Sequence, residues 1–143
     1  MSDYSSLFSA ASFPRTIQKY CGEHGWDIAD LNDQKAKLRF EAASGNMQIL
    51  YVIRFDTTLE FSVPSKFTFP SEDEVPHRLS TILMGKNAEL KVGFWCLERI
   101  QGEFTFSIMH NQDISLLDSE WFGGIVRKLV GECDDFEVAV DNM

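Results

Sequence analysis

Hydrophobic and polar positions change their period several times along this chain, and each change marks an element. Between Pro14 and His24 the apolar residues Ile17, Tyr20 and Cys21 recur at i, i+3 and i+4, one face of a helix that Pro14 can open and Gly25 can stop. From Leu38 the period becomes two: Leu38, Phe40 and Ala42 alternate with Lys37, Arg39 and Glu41. Met47, Ile49, Tyr51, Ile53 and Phe55 follow in alternation, then Leu59, Phe61 and Val63 against Thr58, Glu60 and Ser62. Ala43-Ser44-Gly45-Asn46 and Asp56-Thr57 are too short to carry a crossover, so these strands should pair as an antiparallel meander. A short strand from Asp27 to Leu31, turning at Asn32-Asp33, can precede it.

Pro64 to Pro76 holds three prolines and the acids Glu72-Asp73-Glu74, which predicts a loop. Ser71 to Glu74 matches a capping box, yet a helix started there would put Pro76 where a backbone N–H is wanted, so the second helix should start at Pro76. Leu79, Ile82 and Leu83 form its predicted buried stripe, ahead of Gly85 and Asn87. Leu90 to Arg99 and Glu103 to Met109 read as a hairpin through Gln101-Gly102. The last helix is the clearest element: Phe122, Ile125, Val126, Leu129, Val130 and Cys133 share one face, with Asp118 or Ser119 as cap. Gly123 and Gly124 each cost such a helix about 1 kcal/mol relative to Ala, and close packing on the sheet would rationalise them.

These elements fit one α+β domain over residues 1–143, with a loosely held arm at 1–12 and an acidic tail at 137–143. The net charge of −9 disfavours nucleic acid, whose binding draws its affinity from cations placed on phosphates; the basic row Lys35, Lys37 and Arg39 is instead the wet face of a strand. No apolar run is long enough for a membrane span, and the N-terminus lacks the basic and apolar regions of a leader, which predicts a cytosolic protein. Three cysteines, Cys21, Cys96 and Cys133, lie in apolar periodic segments without a CxxC pair, and are expected as reduced thiols.

Candidate chemistry is sparse. His24, His77 and His110 lie far apart without a metal-ligand spacing, and the single Glu74-x-x-His77 is interrupted by Pro76, so neither a metal nor a cofactor is expected. Asp134, Asp135 and Asp141 read as a solvated acidic tail. No nucleophile elbow, P-loop or dinucleotide fingerprint occurs, and no catalytic residue is assigned. The remaining candidate is a surface. If helices cover one sheet face, Leu50, Val52, Trp95, Leu97 and Met109 would lie on the other, where either a further helix covers them or they form an association surface. The aromatics Phe94, Phe104, Phe106 and Phe122 leave a second possibility, an apolar pocket for a small ligand.

The order Asn87-x-x-Leu90-x-x-Gly93-x-Trp95-x-Leu97, Gly102-x-Phe104, Phe122 and Leu129-Val130-x-Glu132-Cys133-Asp134-x-Phe136 resembles the YbjN family, whose domain is similar to type III secretion chaperones. That resemblance implies an α-β-β-β-α-β-β-α order and a twisted antiparallel sheet. It names no catalytic residues. The expectation is a non-enzymatic, chaperone-like or regulatory module, a homodimer that captures an extended segment of an unidentified protein partner. The rival is a small-molecule-binding regulator or an enzyme with an aromatic-lined pocket.

Overall fold

A computed structural model describes residues 12–143. Helix α1, Phe13–His24, ends at Gly25, whose φ of 72° supplies the left-handed stop. Strands β1 (Ile28–Leu31), β2 (Lys35–Glu41), β3 (Met47–Phe55) and β4 (Thr58–Phe69) form the meander. A 3-10 turn at Glu72–Glu74 leads to α2, His77–Asn87, which starts directly after Pro76. Strands β5 (Phe94–Ile100) and β6 (Glu103–Asp113) make the hairpin, and α3, Ser119–Asp141, closes the chain. This is the expected order with β1 added as a short edge strand.

The six strands form one antiparallel sheet in the order β1-β2-β3-β4-β6-β5. The β5–β6 turn takes positive φ at both Gln101 and Gly102, which suits the right-handed twist of the flanking strands. Helix α3 crosses β3, β4 and β6; α1 packs against α3 and β1, and α2 against β5. Aromatic rings weld α3 to the sheet: Phe122 lies 5.6 Å from Phe61, and Phe136 lies 4.8 Å from Trp95 and 6.2 Å from Phe106. The predicted stripe of α3 is buried at Phe122, Ile125, Val126, Leu129 and Cys133, and Asp118 accepts the Trp121 N–H as its cap.

Four expectations change. The stretch 64–69 is strand, not loop; Pro64 is tolerated because the β4–β6 ladder shifts register between Pro64 and Thr68, after β3 has already parted from β4. Ile82 faces solvent, leaving Leu79 and Leu83 as the buried stripe of α2. The acidic tail is helical through Asp141, and both Asp134 and Glu137 are buried. Gly123 makes room for a helix neighbour rather than for the sheet: a Cβ there would stand 2.4 Å from His24 Cε1, and His24 Nε2 donates to the Ser119 carbonyl over 2.8 Å. Gly124 meets only the Trp121 ring of its own helix. Of the predicted arm, residues 1–11 lie outside the described residues.

Candidate functional site

The partner-binding candidate has to be re-drawn, because the helices sit on the face assigned to it. Leu50 and Val52 are fully buried beneath α3, and Trp95, 3% exposed, packs on Phe136. Met109 lies on the opposite sheet face and is also buried. Leu97, at 41%, is the one member left accessible, at the β5 edge beside α2. Alternation shows which residues share a face; it does not show which face the helices choose.

The uncovered face carries the other parity. Along β3 it presents Met47, Ile49, Tyr51, Ile53 and Phe55, a row of five large apolar side chains with none of the described helices above it; Met47 is 56% exposed and Phe55 50%. Strand β2 flanks this row with Lys35, Lys37 and Arg39, as its alternation predicted. Beyond β3 the face continues through Glu60, Ser62 and Pro64 of β4 to Cys96 and Glu98 of β5. A trough of about 470 Å³ runs there, with Lys35 and Tyr51 on one wall and Glu60, Glu98, Ser62 and Thr105 on the other. Lys35 Nζ lies 4.5 Å above the Tyr51 ring, an attraction between cation and π face. Burial, and then the Glu98 charge, hold the Glu60 carboxyl above its ordinary range. Neither Lys35, Lys37 and Arg39 nor Glu60 and Glu98 has an ion-pair partner among the described residues.

A second accessible surface lies on the helix side, where β2 and the residues after α1 meet α3. Trp26, Phe40, Ala42, Ala43, Val126 and Val130 form an apolar groove of about 220 Å³ with Arg127 and Asp135 at its margins. His24 stacks on Trp26 at 4.6 Å, and Phe40 meets the same indole edge-on at 5.4 Å, so the wall is held from both sides. Asp134 accepts from the Ser44 hydroxyl and backbone N–H, which pins the β2–β3 turn beside the groove.

Where β3 and β4 part, the missing ladder bonds are replaced from the helix. Glu137 accepts the Gln48 side-chain amide over 2.7 Å and the Lys66 backbone N–H over 2.7 Å, while Lys66 Nζ pairs with Asp141. The sequence offered one signal for this role, an acid at i+4 from the buried Cys133; the acidic composition of the segment concealed it.

The remaining chemical candidates stay dispersed. No group of three His, Cys, Asp or Glu side chains converges among the described residues. His77 is exposed at the start of α2, and His110 accepts the Gly93 N–H at Nδ1 and meets Gln112 through Nε2. Burial pushes the Cys21 thiol up to about 11 and Cys96 to about 12, and raises Cys133 with help from Glu137, so all three are poor thiolates at neutral pH. The four phenylalanines proposed as a pocket lining do not converge, because Phe94 lies on the open face and Phe104, Phe106 and Phe122 on the helix side. No helix among the described residues is long and apolar enough to cross a membrane.

The described residues form an α+β fold, three helices on a six-stranded antiparallel sheet. Among solved structures it is similar to a chain of the HopA1–SchA chaperone–effector complex (TM-score 0.64, 8% identity, 95% of this chain and 98% of that one). It is also similar to a chain of the ExsC–ExsE complex (0.63, 12%, 89% and 92%). The resemblance read from the sequence appears as well: YbjN from E. coli matches with a TM-score of 0.57 at 14% identity, over 80% of this chain and 81% of that one. At such identities the likeness is one of fold. No family profile matches the chain, and no curated protein matches its sequence.

The motif residues behind that resemblance have structural reasons. The Asn87 side chain pairs with the outer edge of β5, accepting the Trp95 N–H over 2.6 Å and donating to the Trp95 carbonyl over 3.0 Å. Gly93 adopts a φ of 86°, and a Cβ there would stand 2.6 Å from Leu129 Cδ2. These residues shape the β5 edge and its seat under α3.

Proposed function

We propose that the protein is a non-enzymatic, chaperone-like binding module that works as a homodimer and takes an extended segment of a partner protein in the Trp26–Val130 groove. The observation that carries this reading is where accessible apolar surface lies. It forms an open groove and an open sheet face rather than an enclosed cavity, and no group of three His, Cys, Asp or Glu side chains converges at either among the described residues. Small residues in the groove, Ala42, Ala43 and Gly131, leave space for side chains of an incoming strand or turn. Likeness of fold to chains from two chaperone–effector complexes supports the same reading.

Selection from a random-peptide library tests the groove. Enriched peptides should carry alternating large apolar residues and should lose at least tenfold in affinity against Trp26→Ala, read by fluorescence anisotropy. Peptides without such a pattern, or with affinity untouched by Trp26→Ala, would remove the groove from the proposal. Thermal stabilisation by a small metabolite and by no peptide would favour the ligand-binding alternative.

A further inference from the structure

We infer that the open face of the sheet is the surface on which a second copy of this chain docks, face to face about a two-fold axis parallel to β3. The inference rests on the homodimer reading above and supplies its geometry. Strand register places Lys35 beside Ile53 and Ile53 beside Glu60, so one row across β2, β3 and β4 reads cation, apolar, anion. A two-fold axis lying between two such sheets along β3 exchanges the left and right of that row. Lys35 of each copy then stands opposite Glu60 of the other, twice per dimer, and Ile53 meets Ile53. The next row, Lys37–Tyr51–Ser62, brings Tyr51 onto Tyr51 and Lys37 opposite a hydroxyl. The geometry also brings the second copy's Lys35 to the trough that Glu60 and Glu98 share with the chain's own Lys35, where neither carboxylate has an ion-pair partner among the described residues.

Size and shape agree with that occupant. Strands β2 to β4 at ~4.8 Å spacing and about seven residues at ~3.3 Å rise give a flat footprint of about 330 Å² per copy before side-chain relief, since Thr105, Ser107 and Met109 of β6 are already buried. A standard interface buries about 800 Å² per partner, so this face fits a small, weak dimer contact. Aligned packing of twisted sheets keeps strand directions within about 30°, which the parallel axis satisfies. Each copy carries a net charge of −9 and repels the other at long range. The apolar row must therefore drive association, while the Lys35–Glu60 pairs set its orientation.

The alternative apolar edge is that of α2 and β5, where Ile82, Met84 and Leu97 are exposed. Sedimentation velocity over a concentration series separates the two, comparing wild type, Lys35→Glu, Glu60→Lys, the double variant Lys35→Glu/Glu60→Lys, and Met84→Asp, each checked for a native melting transition. The expected result is a dimer for wild type, at least tenfold weaker association for either single variant, recovery to within about threefold in the double variant, and no change for Met84→Asp. A monomeric wild type, single variants that dimerise as wild type does, or dissociation by Met84→Asp alone would overturn the inference. If the face belongs instead to another protein, wild type stays monomeric while peptide capture in the groove persists, so failure here is distinguishable from failure of the binding function.

Discussion

The two faces of the sheet are built from the same strands and the same period, yet they have opposite fates. On β3, Leu50 and Val52 meet α3 and are sealed from water; Ile49, Tyr51 and Ile53, one residue away, look out between a basic and an acidic border. Burial of each large side chain on the first face contributes about 1.5–3 kcal/mol to folding. On the second face the same side chains contribute little until something covers them. The lesson is that apolar character along a strand measures how much surface seeks a partner, while the helices of the chain decide which half finds one internally.

The comparison breaks most severely at Val126, 1% exposed on the buried side of α3. Val126→Asp would bury an unpaired charge at a cost of several kcal/mol against a total stability of about 5–15, so the cooperative melting transition should disappear from circular dichroism. A native transition would show that α3 does not seal this face. The neighbouring pair sharpens the contrast: Leu50→Ala should cost about 2–5 kcal/mol in urea unfolding, Ile49→Ala less than about 1 kcal/mol at dilutions where the protein is monomeric. Equal losses would mean that both faces are closed within one chain.

Smaller effects probe the helix that makes the difference. Gly123→Ala drives a methyl into the His24 ring and should destabilise by about 1–3 kcal/mol, whereas Gly131→Ala, with open space around it, should stabilise by about 0.5–1 kcal/mol. Similar thermal shifts for the two variants would contradict the close α1–α3 approach. The least effect is expected at Glu60. Its carboxyl is held above its ordinary value of 4.5, so the folded chain binds the proton more tightly than the unfolded chain does. Its stability relative to a neutral side chain is therefore fullest below that ordinary value and falls as pH rises through the raised one. Glu60→Gln should melt slightly higher than wild type at pH 7 in dilute solution, with the gap closing as pH falls toward about 4. A gap that widens on acidification would reverse the assignment.

Much of the architecture was legible from the chain. The stripe of α3, the stop at Gly25, the late start of α2 after Pro76 and the meander all follow from local period and backbone chemistry, because these depend on residues no more than four positions apart. The strand beyond Pro64 was hidden, since proline reads as a loop wherever the interrupted ladder that tolerates it is unseen. Asp134 and Glu137 were hidden for a related reason: acids near a chain end read as solvated until Ser44, Gln48 and the Lys66 N–H arrive from 71 to 90 residues away to donate to them.

What the amino-acid sequence determined by itself was the inventory: three amphipathic helices, paired strands and an excess of large apolar side chains on both strand parities. Tertiary structure alone decided which parity α3 would cover, and so moved the candidate surface from Leu50, Val52 and Trp95 to Met47 through Phe55. Period two is symmetric between the faces of a strand, and only the crossing of a helix over one of them removes that symmetry.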